Sequence, residues 1–420
     1  MTNKNIKNPA DRRQWLLVAL CWAIYTASYL GKYCYNANKS IIMSYFAIDK
    51  ATAGLVGTCF FIAYGAGQVV NGLLCKKYNM RFVVFGSLLI SACCNAVMAF
   101  CNEFAVLKYV WFINGATLSV LWPTLVRLLS ETLSDDYCPR AVVVMGTSVA
   151  VGTFITYGIS AAFNAGVGAD VSYKYAFLTA IICLPVLALV WNFAYPKLVG
   201  KGKEDKEEKT LIDSQAMKAP TEKKKIANPL MVSLVILAFF AVVTNLVKDG
   251  LTTWIPKILE DTYKMPSYLS ILLTLFLPML ALFGTAVAVR LNKKFPDTVN
   301  LCALAFAFIG ILMGAVMLFA NLSAAVMILC LSLVSLSTSA INNAVTSMFP
   351  LYHKAELNSG MAAGVLNGFC YIGSALSDYG LGLIADLSDW NVVFIVLCVA
   401  SEVCVLIAII RAVVKKIKRT

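Results

Sequence analysis

Runs of apolar residues about 20 long, enough for a helix to cross a hydrocarbon core of roughly 30 Å, recur along the whole chain. They cover 15–37, 52–75, 82–101, 106–129, 141–163 and 173–195, then 229–256, 268–292, 298–320, 323–349, 358–385 and 390–412. A helix satisfies its own backbone polar groups inside a bilayer, so the pattern predicts an all-α integral membrane protein with 12 transmembrane helices. Between the sixth and seventh runs lies "KLVGKGKEDKEEKTLIDSQAMKAPTEKKKIAN", residues 197–228, whose dense charge predicts a flexible linker. It divides the chain into a six-helix bundle over 1–196 and a second over 229–420.

Composition agrees: 60% of residues are hydrophobic and 14% charged, far from a soluble domain. Lysine and arginine gather in the N-terminal segment, the linker, the C-terminal segment and alternate loops, including Lys4, Lys76, Lys77, Arg81, Arg140, Lys223 and Lys415. Basic residues accumulate in cytoplasmic loops, so both termini are expected in the cytoplasm. The net charge of +13 then reflects topology rather than nucleic-acid binding. "MTNKNIKNPADRRQW" is too polar for a cleaved signal, so the first span is expected to be retained. Short loops favour a bacterial inner membrane, and a monomer is the default for this architecture.

The 14 cysteines fall mostly within apolar spans and read as small core residues. With a single histidine and no CxxC pair, neither a metal nor a cofactor is expected. A phosphate-binding glycine loop ending in Lys-Ser/Thr is also missing, and the chain does not read as an enzyme.

Two features break the apolar pattern. Lys32 stands well inside the first span and Lys248 inside the seventh, at matching places in a weak internal repeat that also relates Gly72 to Gly284 and Gly146 to Gly364. A mid-membrane lysine costs roughly 2.5–3.5 kcal/mol on insertion scales, and a function is the simplest reason to retain one. Lys39, nearer the outer end, is expected to snorkel to the interface.

Helical spacing extends Lys32 into a polar stripe with Tyr25, Ser28, Tyr29, Tyr35, Asn36 and Lys39. Further stripes contain Tyr64 and Gln68 in the second span, Asn245 in the seventh, Asn342 in the tenth, and Asn367, Tyr371 and Asp378 in the eleventh. Together they predict a water-filled path with two cations that attract a phosphate or carboxylate, the tyrosines and asparagines adding directional hydrogen bonds. Asp249 and Asp378 are the candidates for carrying a proton. Arg127 and Glu131, four apart, are expected to form a structural ion pair, and Pro123 and Pro278 to bend their spans.

"YTASYLGK", "IAYGAGQVVNGLLCKKYNMR", "LWPTLVRLLSETL", "NLVKDGLTTWIPKIL" and "SGMAAGVLNGFCYIGSAL" resemble helices of the major facilitator superfamily, and within it the organophosphate:phosphate antiporters of the glycerol-3-phosphate and hexose-phosphate group. The resemblance implies two pseudo-symmetric six-helix bundles. It also implies phosphate-coordinating roles for Lys32 and Lys248, and substrate or gate contacts for Tyr25, Tyr29, Tyr64, Trp122 and Tyr371. Both family arginines are lysines here, Gln68 stands where the family has a lysine, and an apolar position near Val149 where it has a histidine.

The expectation is a secondary transporter of a small anionic metabolite by alternating access, with inorganic phosphate as a candidate counter-substrate. The alternatives are a proton-coupled organic-acid symporter and a membrane sensor of an organophosphate that does not transport it.

Overall fold

The structure is a computed structural model and describes residues 9–74, 77–134, 137–167, 169–199, 228–319, 323–353, 356 and 359–417. The predicted linker therefore lies outside the described residues, apart from Lys197 to Val199 and Asn228, which belong to helices.

Twelve helical segments follow one another. They are α1 (Pro9–Phe46), α2 (Lys50–Leu74), α3 (Met80–Phe100), α4 (Phe104–Leu118, continued by Leu121–Thr132), α5 (Cys138–Val167) and α6 (Ala169–Val199). The second series is α7 (Asn228–Tyr263), α8 (Ser267–Thr274, Phe276–Ala281 and Gly284–Lys294), α9 (Thr298–Phe319), α10 (Ala324–Asn343), α11 (Ser359–Leu387) and α12 (Trp390–Ile417). The α4 break precedes Pro123 by a few residues and α8 is interrupted around Pro278, where a ring without an N–H disturbs the ladder. Past Asn343, α10 continues through a π-helical turn, Ala344–Met348, into Phe349–Tyr352.

Eleven of these segments are long and apolar enough to cross a membrane. The twelfth, α11, has 29 residues but carries Asn367, Tyr371, Ser374, Ser377 and Asp378 along its length. Its polarity follows from its position, because it packs against both α2 and α7 at the seam of the molecule.

Buried apolar side chains form two clusters, one drawn almost wholly from α1–α6 and one from α7–α12. Met43 and Ala53 join the second cluster, while Ile271, Leu275 and Ala375 join the first, so the halves interlock where they meet. Small residues allow that approach. Across the seam a Cβ on Gly57 would fall on the Asp378 carboxylate and one on Gly65 on the Tyr371 Cβ, and within the second half one on Gly373 would fall on the Val242 carbonyl. Twelve of the cysteines are free, most of them buried or half-buried among apolar neighbours.

Candidate functional site

Lys32 lies just beyond the middle of α1. Its Nζ is 4.2 Å from the centroid of the Tyr64 ring, 5.3 Å from Tyr33, 5.4 Å from Tyr29, 5.8 Å from Phe60 and 5.9 Å from Tyr371. The residue is 7% exposed, and among the described residues it has no hydrogen bond or ion pair. Ring quadrupoles are what stabilise the buried cation, at up to about 2 kcal/mol for a desolvated contact. Four of the rings come from α1 and α2, and Tyr371 is brought from the opposite half by α11.

Lys248 occupies the related place in α7 but differs electrostatically. Its Nζ is 3.3 Å from Asp249 Oδ1, and its side chain is 34% exposed. Asp249 also accepts a hydrogen bond from the Ser374 hydroxyl. Ser374 lies three residues past Tyr371 on α11, so this bond holds the carboxylate about one turn from a ring of the cage. The two lysines are therefore unequal: Lys248 has a counter-ion at contact distance and Lys32 does not.

The remaining candidate residues divide into three groups. Tyr25 packs on Trp122 at 4.8 Å and Tyr64 on Tyr371 at 4.9 Å. Tyr64 also stacks on Phe60 at 5.6 Å, so these rings form one cluster beside Lys32. Asn245 and Asn342 exchange side-chain hydrogen bonds at 3.1 and 3.2 Å, with the Cys370 thiol donating to Asn342 at 3.4 Å. Asn367 is half-buried, one turn of α11 before Tyr371. Asn36 stands apart from this site, donating to Thr253 Oγ1 at 3.4 Å where the halves close against each other.

That closure lies toward the end of the molecule opposite the termini. Lys39 Nζ and Asp378 Oδ1 are 2.5 Å apart, with side chains 2% and 0% exposed. The Lys39 ammonium also lies 4.3 Å from a Trp254 ring centroid. Lys39 thus does not snorkel as the sequence suggested; α11 supplies it with a counter-ion across the seam. Nearby, the Ser40 hydroxyl donates to Glu260, Lys50 Nζ is 3.3 Å from Asp386 Oδ1, and the Ala51 N–H donates to Asp386 at 2.7 Å.

Exposure runs in the opposite direction. Asn36, Lys39, Asp249 and Asp378 are buried, whereas Gln68, Trp122, Lys248 and Asn367, level with the caged lysine or nearer the termini, are half-buried. Arg127 and Glu131 form the expected pair within their own half at 2.7 Å.

Sequence reasoning did not single out Tyr33 or Phe60. Tyr33 adjoins Lys32 in the chain and falls off the polar stripe, and Phe60 is simply apolar; only packing makes them walls of one cage. No group of metal-ligating side chains is found among the described residues.

A membrane protein of two helical bundles, with a caged cation and an ion-paired closure on their seam, belongs to a recognisable class of polytopic proteins. The chain is a member of the Major Facilitator Superfamily, whose sequence model matches residues 21–377, a family of transporters rather than enzymes. The solved structure of a mutant of the nucleoside transporter NupG covers 94% of this chain and 99% of its own with a TM-score of 0.68 at 13% identity, a likeness of fold. The 3-(3-hydroxy-phenyl)propionate transporter of Escherichia coli (strain K12) is 21% identical over 61% of this chain and 60% of its own length. A probable hexose phosphate transport protein of Chlamydia muridarum is 24% identical over 27% of this chain and 25% of its own. The matched regions thus span less than two thirds of either curated relative.

Proposed function

We propose that this protein is a secondary active transporter that carries a small organic anion, phosphorylated or carboxylated, by alternating access. The observation that carries the reading is Lys32, a buried cation without a counter-ion, surrounded by tyrosines where the two halves meet. An anion docking there supplies the missing charge and gains strength from the low local dielectric. The half-exposed Lys248 is the second attraction for it, and Tyr25, Tyr29, Tyr64, Gln68, Trp122 and Tyr371 are its walls.

The Escherichia coli relative is named for a carboxylic acid and the Chlamydia relative for a sugar phosphate. Both are small organic anions, which supports the charge requirement while leaving two chemical families of substrate. With both termini in the cytoplasm, as the basic loops imply, the paired closure faces outward and the half-exposed side of the site faces the cell interior. Rocking of the halves about the site would exchange one opening for the other.

Counterflow in proteoliposomes made from the purified protein tests the reading, because labelled anion uptake has to appear without any other component. Uptake that Lys32→Ala abolishes is the expected result. Binding with no flux in any gradient would turn the protein into a sensor.

Asp249 favours a second reading, proton-coupled symport, because its carboxylate contacts Lys248 about one turn from a ring of the cage. Protonating it would free Lys248 for the substrate. Loss of uptake-linked alkalinisation in Asp249→Asn is the expected outcome, and unchanged proton movement would overturn this reading.

A further inference from the structure

The charged groups of the central site can be counted. With both lysines protonated and Asp249 ionised, Lys32 and Lys248 each contribute one positive charge and Asp249, 3.3 Å from Lys248, one negative. The next charges along the seam, Lys39 and Asp378, lie two helical turns away, about 10 Å at 1.5 Å per residue, and cancel each other at 2.5 Å. The site thus carries one net positive charge. A carboxylate neutralises it, whereas a phosphate monoester, with close to two negative charges at neutral pH, leaves a net negative charge in a poorly solvated space.

The walls of the site independently favour the same kind of ligand. The body of any anion whose charged end meets Lys32 Nζ lies among the rings of Tyr29, Tyr33, Phe60, Tyr64 and Tyr371. Rings at this spacing favour offset or edge contact with another ring. A sugar would instead need free hydrogen-bonding groups around its hydroxyls. Here Asn245 and Asn342 bond each other. Displacing those mutual bonds would offset what a polyhydroxylated body gained.

We infer that the site selects aromatic monocarboxylates over phosphate esters, with Lys32 holding the carboxylate, the tyrosine cage holding the ring, and Asp249 setting the charge preference by cancelling Lys248. This rests on the organic-anion reading proposed above and narrows it to one substrate class. Asp249 becomes a specificity residue: it excludes dianions by keeping the second lysine compensated.

The test is equilibrium binding to the purified full-length protein in detergent, measured by calorimetry and by competition against labelled benzoate. Benzoate, cyclohexanecarboxylate, glucose-6-phosphate and inorganic phosphate are the probes. Benzoate is expected to bind at least fivefold tighter than its saturated counterpart and at least tenfold tighter than either phosphate. Asp249→Asn, which raises the site charge by one, is expected to improve glucose-6-phosphate binding relative to benzoate at least tenfold, with a monodisperse elution profile showing that the variant is folded. Lys32→Arg serves as a second variant that keeps the charge, and it should retain the order of preference.

Glucose-6-phosphate or phosphate binding tighter than benzoate, and lost in Lys32→Gln, would overturn the aromatic monocarboxylate and leave the organic-anion reading intact. Equal binding of benzoate and cyclohexanecarboxylate would remove the role given to the rings. No measurable binding of any of the four anions to folded wild-type protein would overturn this inference together with the function it rests on.

Discussion

Lys39 on α1 and Asp378 on α11 join the two halves of the protein at 2.5 Å, with both side chains buried. Seven residues earlier on the same two helices stand Lys32 and Tyr371, whose contact is a cation facing a ring at 5.9 Å. The seam therefore holds two lysine levels with opposite electrostatic character. One is saturated by a carboxylate of the other half and holds the halves together. The other lacks an acid at contact distance among the described residues, which is what the proposed anion site requires.

Removing one partner of the buried pair leaves the other charge stranded, typically at a cost of about 3–5 kcal/mol. Lys39→Met and Asp378→Asn are each expected to lower the thermal midpoint in detergent by several degrees. The double variant Lys39→Met/Asp378→Leu should recover most of that loss, since an apolar pair needs no compensation. A double variant as unstable as the sum of the singles would mean that the two charges do not interact.

Gly57 allows the Asp378 carboxylate to sit against α2. Gly57→Ala is expected to disfavour this closed arrangement without adding or removing a charge. Thiol labelling of a cysteine introduced at Asn36, in a background without reactive native cysteines, should become faster by about tenfold, a shift of roughly 1.4 kcal/mol in the underlying equilibrium. Unchanged labelling would show that α11 does not depend on this notch.

Lys32→Ala leaves the substrate's charge unpaired in the cage. The expected loss in anion uptake is at least a hundredfold, matching the roughly 2–5 kcal/mol typical of truncating one side of a buried charged pair. Lys248→Ala should cost less, about tenfold, because that lysine is half-exposed and already compensated. Equal losses in the two variants would contradict the asymmetry of the pair.

Asp297, ahead of α9, accepts from Arg411 Nη1 at 2.9 Å and lies 3.4 Å from Lys415. Partial burial alone would raise its pKa, but the Arg411 and Lys415 contacts outweigh that, and the carboxyl titrates below its ordinary value. A group depressed in this way contributes stability that is fully present above its unfolded pKa and is lost as pH falls through the folded one. Asp297→Asn should therefore cost about 1 kcal/mol at neutral pH, a modest amount for a solvent-screened pair. The difference from wild type should begin to shrink at about pH 4, the ordinary carboxylate range, and disappear only below the lower folded value. Thermal unfolding from about pH 3 to 8 measures it, and a gap that persists in acid would mean that charge is not its origin.

The existence of the helices was legible because bilayer thickness imposes a length on apolar runs. The seam was legible in part: α11 stood out by its polar stripe, which predicted a shared path, and Lys32 and Lys248 stood out because a bilayer penalises them. What the stripe could not give was the division of labour along it. Lys32 and Lys39 lie seven apart on one helical face, so periodicity treats them alike. Only the approach of α11, with Tyr371 at one level and Asp378 at the other, separates a ligand-seeking cation from a paired one. Asn36 was assigned to the site for the same reason and lies instead with Thr253 in the closure.

The polarity of α11 also bears on how the chain enters the bilayer. A segment that carries Asn367, Ser374, Ser377 and Asp378 has little reason to leave an insertion channel for lipid by itself. Among the described residues its buried carboxylate has its counter-ion on α1, and Gly368, Gly373 and Gly382 have their neighbours on α2 and α7. The compensated position of α11 therefore depends on α1, synthesised hundreds of residues earlier. The ion pair that closes the finished protein thus also ties one of the last helices made to the first.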